Sequence, residues 1–220
     1  MDAELKQALL ELDCASFADA DKSMRVMDSG LRAINRGVKL VGVARTVRCH
    51  EDFLAVIRAL DVAQPGEVLV VDTQGSSRAV VGELFSMEAE RRGLAGIIVD
   101  GPVRDVSTLR TLVLPVYARG LCPMSGTIRE LGALQVPVVC GGVAVNPGDI
   151  VMGDDDGLLV ASAAELRALI PAAREVEARE LKVRALMAGG RSLTSMLSLS
   201  EHVEALQRGV ASKLAFKLDE

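Results

Sequence analysis

Two short stretches contain residues whose types can act together chemically. Gly82-Glu83-Leu84-Phe85 reads as the opening of a helix, and Arg104-Asp105 closes the stretch IIVDGPVRD, in which an apolar run leads through an acid and Gly-Pro to adjacent opposite charges. The first amides of a helix have no intrahelical acceptor, and the helix dipole favours an anion there. The N–H groups of Leu84 and Phe85 therefore suit a carboxylate. Twenty residues separate Glu83 from Arg104, enough for one helix, one turn and one strand. In a parallel strand-helix-strand unit, that spacing returns both stretches to one edge of the sheet, where such folds bind ligands. The set is then an anion-binding helix end, a fixed cation at Arg104, and two carboxylates, Glu83 and Asp105. Arginine can grip a carboxylate with two bonds or stabilise a developing enolate, and oxygen-only ligands suit Mg²⁺ or Mn²⁺. A structural reading competes with this one: Asp105 caps the short helix VSTLRTL, while Arg104 and Glu83 are surface charges.

Other candidate motifs are weaker. The two histidines, His50 and His202, have no partner at ligand spacing, which argues against a His-based triad or a His-rich metal site. The acidic run Asp154-Asp155-Asp156-Gly157 lacks the glycine and the oxygen ligands of a calcium loop and reads as a turn between two strands. GGVAVNPG has no following Lys-Ser/Thr, and DTQGSS has no GxGxxG spacing, so neither is a nucleotide loop. Cys14, Cys49, Cys122 and Cys140 are widely separated and form no CxxC pair, so they read as small core residues of a reducing cytosol.

These residues need elements to position them. Leu5, Leu9 and Leu12 have helical spacing, and two helices are expected before Asn35, with a polar stretch from Asp19 to Ser29. VKLVGVARTV reads as a strand in which Gly42 permits a bend or close approach. EDFLAVIRALDVA then reads as a helix with acids in its first turn, stopped by QPG. From Val38 to about Gly120 strand and helix alternate, predicting a layered α/β domain with parallel pairing. VPVVCGGVAV, IVMG and LLVA are short strands in tight succession, and the chain is helical from Ser162, with a break at Gly189-Gly190.

Composition narrows the function classes. With 220 residues and 50% hydrophobic content the chain can bury a sizeable core. A net charge of −5, 2% aromatic residues and no Trp remove both the basic field and the stacking rings of a nucleic-acid binder. No apolar run approaches membrane-spanning length and the N-terminus lacks a secretory pattern, so the expectation is a cytoplasmic protein that binds neither membrane nor nucleic acid.

On the segments SFADAD, VGVARTV, QPGEVLVVD, GELFSMEAERRGLAGIIVDGPVRD, PVVCGGVAV and PGDIVMGDDDGLLV, the chain resembles the RraA-like superfamily. That superfamily includes the divalent-metal pyruvate aldolases acting on 4-hydroxy-4-methyl-2-oxoglutarate and 4-carboxy-4-hydroxy-2-oxoadipate. The resemblance implies an αββα sandwich over residues 1–190, a C-terminal helical tail over 191–220 at a subunit interface, and a homotrimer or homohexamer with its site between subunits. It also implies that Asp105 is the direct metal ligand, that Glu83 holds water of the metal shell, and that Arg104 contacts the pyruvyl oxygen. The amides of Leu84 and Phe85 would clamp the carboxylate, and a neighbouring subunit would contribute Glu180, with Glu177 as the alternative. The implied reaction is a class II aldol cleavage of a 4-hydroxy-2-oxo diacid, of the kind used in aromatic-compound catabolism, with oxaloacetate decarboxylation as a side activity. No lysine stands at these positions, which disfavours Schiff-base chemistry. Regulators that bind a ribonuclease resemble the chain in the same way and give the alternative, a non-enzymatic binding protein. The far end of the substrate is left to residues such as Arg45 or Arg78.

Overall fold

Val68 to Val71 are buried on both sides, as a strand inside a layered sheet must be. The computed structural model describes residues 1–218. Its elements run α1 (Ala3–Glu11), α2 (Cys14–Ala20), β1 (Arg25–Val26), β2 (Arg32–Ala33), β3 (Leu40–Arg48), α3 (Leu54–Val62), β4 (Glu67–Asp72), α4 (Glu83–Arg91), β5 (Gly96–Val103), α5 (Val106–Leu109) and β6 (Val116–Leu121). There follow β7 (Ala133–Leu134), β8 (Val138–Cys140), β9 (Val143–Val145), β10 (Ile150–Gly153), β11 (Leu158–Ala161), α6 (Ala163–Ala188), a 3₁₀ turn (Leu193–Met196) and α7 (Leu199–Gln207). Two compact units lie along the chain, residues 1–173 and the remainder from Arg174.

In the first unit β3, β4, β5 and β6 are adjacent and mutually parallel, each joined to the next through a helix. This is the alternation expected from Val38 to Gly120, and the fold is α/β. Antiparallel β10, β11 and β1 extend the sheet beyond β3, β2 pairs with β6 at the other edge, and β7 pairs with β3. The sheet is therefore mixed, while β8 and β9 form a separate hairpin.

Successive residues of a strand face opposite sides, so the sheet builds two cores. Leu69, Val71, Ile97 and Val99 pack against Val56, Ala59 and Leu60 of α3 and Ala89 of α4. Val68, Val70 and Ile98 pack on the other side with Val138, Cys140 and Val145 of the hairpin and with Met27 and Leu31. Leu5, Leu9 and Phe17 of the first two helices join Val41, Ile150, Leu159 and Leu166 in a third cluster. Gly42 is the close-approach position that its place in the strand predicts: a Cβ there would lie 2.7 Å from Ala95 Cβ, Gly66 O and Val68 Cγ2.

One local expectation is corrected. The acids of EDFLAVIRAL precede α3 instead of occupying its first turn, and Asp52 is spent on Leu54 N–H, to which its Oδ1 accepts at 2.9 Å. The two helices expected before Asn35 are α1 and α2, and after them Arg25–Val26 and Arg32–Ala33 pair with β11 and β6 as edge strands. The acidic run is a turn, as expected: Asp154 N–H donates to Gly157 O at 3.1 Å, and the Asp154 carboxylate accepts from Cys14 N–H at 2.8 Å.

The second unit contains the later part of α6, the 3₁₀ turn and α7, and residues 208–218 that follow carry no further helix. Arg179 lies over the Phe216 ring at 5.8 Å, and Ser198 N–H and Lys217 N–H donate to Ala215 O and Met196 O. Among the described residues no helix is long and apolar enough to cross a membrane.

Candidate active site

The parallel strands β4 and β5 end at the same edge of the sheet, and the chain leaves β4 through a loop that delivers Gly82 to the start of α4. Arg104 and Asp105 leave β5 beside it. Arg104 N–H donates to Val81 O at 3.1 Å, so the two loops are bonded through their backbones. The spacing argument for Glu83 and Arg104-Asp105 thus has its geometric counterpart.

Asp105 is at the N-cap position of α5, but its side chain makes no capping bond. Its backbone is left-handed, with φ 56° and ψ 39°, a conformation that costs a non-glycine residue about 1 kcal/mol and that aspartate tolerates better than most. The twist turns the carboxylate back toward α4, where Oδ2 accepts from Glu83 N–H at 3.2 Å and lies 3.3 Å from Arg104 Nε. This replaces the structural reading in which Asp105 caps its own helix. Gly82 makes room for it, since a Cβ there would lie 2.5 Å from Asp105 Oδ2 and 3.0 Å from Arg104 Cγ.

Glu83 is held differently. Its Oε2 accepts a 2.6 Å hydrogen bond from the Thr108 hydroxyl on α5. Each acid is therefore anchored through one oxygen, while Asp105 Oδ1 and Glu83 Oε1 have no hydrogen bond among the described residues. Thr108 is a site residue that sequence reasoning missed. Its signal was available, because Thr108 lies one helical turn beyond Asp105.

The helix end opens on a cavity of about 220 Å³, lined by Gly82, Leu84, Phe85, Arg104, Asp105 and Ser125 and closed by apolar groups including Phe53 and Val80. Phe53 and Phe85 pack with ring centroids 5.6 Å apart. A second hollow of about 300 Å³ borders Arg104, Asp105, Val106 and Cys122. Arg104 and Asp105 are the wall between the two. The N–H groups of Leu84 and Phe85 donate to no intrahelical carbonyl, so the cavity meets two unspent donors of a helix N-terminus.

Not every candidate residue joins the set. Glu180 lies on α6 in the second unit and is exposed, and Glu177 on the same helix is half-buried. Arg45, suggested for the far end of a substrate, forms a two-bond pair with Glu67, Nε to Oε2 at 2.5 Å and Nη2 to Oε1 at 2.9 Å, in a half-buried position. It is committed to the sheet. Arg78 pairs with Glu51 at 3.3 Å and adjoins Ala79, which lines the first cavity. Burial raises the Cys49 thiol to about 12, with Asp52 and Asp72 adding to the rise, and it also raises Cys14 and Cys140, so none of the three is a nucleophile at neutral pH.

A family model for RraA-like proteins, described as Aldolase/RraA, matches residues 5–160. The chain belongs to the RraA-like family. A protein of Halalkalibacterium halodurans provisionally named a 4-hydroxy-4-methyl-2-oxoglutarate aldolase is 36% identical over 146 residues, 66% of this chain and 70% of that one. One from Ectopseudomonas mendocina with the same provisional name is 40% identical over 116 residues, 52% of this chain and 72% of that one. Among solved structures, Streptomyces coelicolor RraAS2, described as an unusual member of the RNase ES inhibitor RraA protein family, superposes with a TM-score of 0.74 at 33% identity, covering 84% of this chain and 97% of that one. The α/β fold expected from the resemblance is therefore shared with this RraA-like structure.

Proposed function

We propose that this protein is a divalent-metal-dependent aldolase that cleaves a 4-hydroxy-2-oxo diacid, such as 4-hydroxy-4-methyl-2-oxoglutarate or 4-carboxy-4-hydroxy-2-oxoadipate, to pyruvate and a second oxo acid. The observation that carries this reading is the convergence of Arg104, Asp105 and the free helix amides on one cavity wall, with Glu83 beside it, its N–H donating to Asp105 Oδ2. The donor set fits a hard cation. Mg²⁺ keeps several waters and needs only one or two carboxylates, and Asp105 Oδ1 and Glu83 Oε1 are unspent oxygens. That the described residues contain no group of three His, Cys, Asp or Glu able to cage a metal is compatible with such a site. Asp105 would hold the ion with Glu83 in its outer sphere, and the ion when bound supplies Lewis acidity at the 2-oxo group.

The chain's own residues account for the remaining steps. The Leu84 and Phe85 amides donate to the substrate carboxylate and fix the pyruvyl end. Arg104 donates to the 2-oxo oxygen and binds more strongly as the C3–C4 bond breaks and its electron pair passes into the enolate. C4 becomes a carbonyl as its hydroxyl loses a proton. Glu83, steadied by Thr108, orients the water that takes this proton and returns one to C3. Oxaloacetate loses CO₂ to the same pyruvate enolate, so its decarboxylation is the expected side activity.

The working unit in this reading is a homotrimer or homohexamer, with the tail after Gly190 at the subunit interface and Glu180 of one copy reaching a neighbour's site. Exposed Leu121, Met124, Ile128 and Leu131 on the first unit support an interface of this kind. The likeness to RraAS2 favours one second reading, a non-catalytic protein that binds a ribonuclease.

The test is pyruvate release from racemic 4-hydroxy-4-methyl-2-oxoglutarate and from oxaloacetate, with Mg²⁺ and then with EDTA, followed through lactate dehydrogenase and NADH. EDTA-sensitive release, faster from the aldol substrate, is expected. No release from either acid, with retention of ribonuclease E in a pull-down, would replace the aldolase by the binding protein.

A further inference from the structure

A further hollow lies away from the helix end of α4, and it is more spacious than the Arg104 cavity. It has a volume of about 490 Å³, within the range of sites that enclose a small molecule, and its walls include Arg32, Arg36, Arg110 and Arg119, with Val106 and Leu121 between them. The four arginines come from three separate parts of the chain: the segment around β2, the end of α5, and β6. No carboxylate lines the space.

Arg119 is neutralised and fixed, its guanidinium bonded to Asp100 and lying 3.3 Å from Asp28. Arg32, Arg36 and Arg110 have no ion pair or side-chain hydrogen bond among the described residues. This concentration is unusual within the unit, where the only other arginine without such a partner is Arg129. A chain with net charge −5 has ample acid to pair these side chains, yet three cations face one concavity unpaired. Like charges so arranged repel each other, and the repulsion disappears when an anion enters.

The hollow's frame is also rigid. Asn35, buried between Arg32 and Arg36 in the chain's course, donates to Leu112 O at 3.0 Å and Leu114 O at 2.7 Å and accepts from Val116 N–H at 3.0 Å. Both of its N–H donors and its carbonyl oxygen are spent pinning the arginine-bearing segment to β6 and the loop before it, so Arg32 and Arg36 approach the space on a fixed backbone.

We propose that this hollow binds a small polyanion, a molecule carrying at least two carboxylate or phosphoryl groups, held by Arg32, Arg36 and Arg110. Guanidinium forks match both kinds of oxyanion, and a space of this size takes a metabolite in preference to a lone inorganic ion. The site is distinct from the Arg104 cavity, although Val106 and Leu121 also border the hollow beside Asp105. Its existence does not depend on the aldolase reading.

The experiment is calorimetric titration of the full chain with tricarballylate and, separately, with pyrophosphate, at constant ionic strength in metal-free buffer containing EDTA. Saturable binding of at least one probe is expected, and the two arms distinguish a carboxylate ligand from a phosphoryl one. The Arg32→Ala/Arg110→Ala double variant should bind at least tenfold more weakly, while Arg104→Ala and Arg129→Ala bind as the parent does. Arg32, Arg110 and Arg129 are exposed, and far-ultraviolet circular dichroism checks that the variants fold. Absence of saturable binding by the parent protein overturns the proposal. So does binding that survives in the double variant, or that is lost in Arg104→Ala.

Discussion

At the residue scale the candidate site depends on how two carboxylates are turned. Asp105 gives up capping α5 and adopts a left-handed backbone so that one oxygen reaches Glu83 N–H. Strain of this kind persists only where surrounding contacts hold it, and it recurs at functional positions. We predict that Asp105→Ala lowers metal-dependent pyruvate release at least a hundredfold in a protein that remains folded at the assay temperature by far-ultraviolet circular dichroism, although the left-handed backbone lowers its urea midpoint. Near-parental turnover in that variant would remove Asp105 from the metal assignment. Arg104→Lys should be almost as poor, because an ammonium cannot reproduce the planar fork. Thr108→Val tests positioning more gently. Without the 2.6 Å bond to Glu83, kcat should fall about threefold to tenfold with KM for the substrate little changed, and Thr108→Ser should restore it. A purely structural Thr108 would instead lower stability without this kcat-specific loss.

At the element scale, the segment that brings Ser125 to the cavity is held by a buried acid. Asp52 accepts from Leu54 N–H on one oxygen, and from the Thr127 hydroxyl, Arg129 N–H and Glu130 N–H on the other, at distances from 2.5 to 3.2 Å. Burial acts to raise its pKa, but the bonds from Thr127, Arg129, Leu54 and Glu130 together outweigh burial and hold the group below the ordinary carboxylate value. A depressed folded value means that the stabilisation is fully present above the unfolded value of about 3.9 and is lost as pH falls through the folded one. Asp52→Ala should therefore cost about 2 kcal/mol at pH 7, because it leaves several donors without an acceptor. In urea unfolding, the gap between parent and variant should narrow below about pH 4. A gap independent of pH would mean that charge contributes nothing to this anchor.

At the scale of the whole molecule, the first unit exposes Leu121, Met124, Ile128 and Leu131 within one segment, each more than half accessible. Such a grouping has a reason to exist if another copy covers it. Sedimentation equilibrium should give a trimer or hexamer, and Ile128→Asp should shift it toward monomer and lower activity with it. A monomeric, fully active parent protein would remove the neighbour's Glu180 from the site.

Much of this architecture was legible in the amino-acid order. The alternation of β-branched runs with helix-spaced apolar residues predicts β3 through β6 and the helices between them, because both periodicities are local consequences of backbone geometry. The same locality made Gly82 readable as the start of α4, and the twenty-residue spacing put Glu83 and Arg104-Asp105 at one edge of a parallel sheet. What lay beyond reach was pairing between distant residues. That Gly82 is required to clear the Asp105 carboxylate, that Thr108 steadies Glu83, that Arg45 is bound to Glu67, and that Arg32, Arg36 and Arg110 face one hollow all depend on strand register and sheet curvature. The acids before α3 illustrate the boundary between the two kinds of knowledge. Their position near a helix start follows from the chain, but Asp52 is captured by Thr127 and the amides after it, far away in sequence and adjacent only once the loop has folded over α3. Local periodicity is set by each segment's own backbone and can be read residue by residue, whereas which side chains meet is decided when the segments pack.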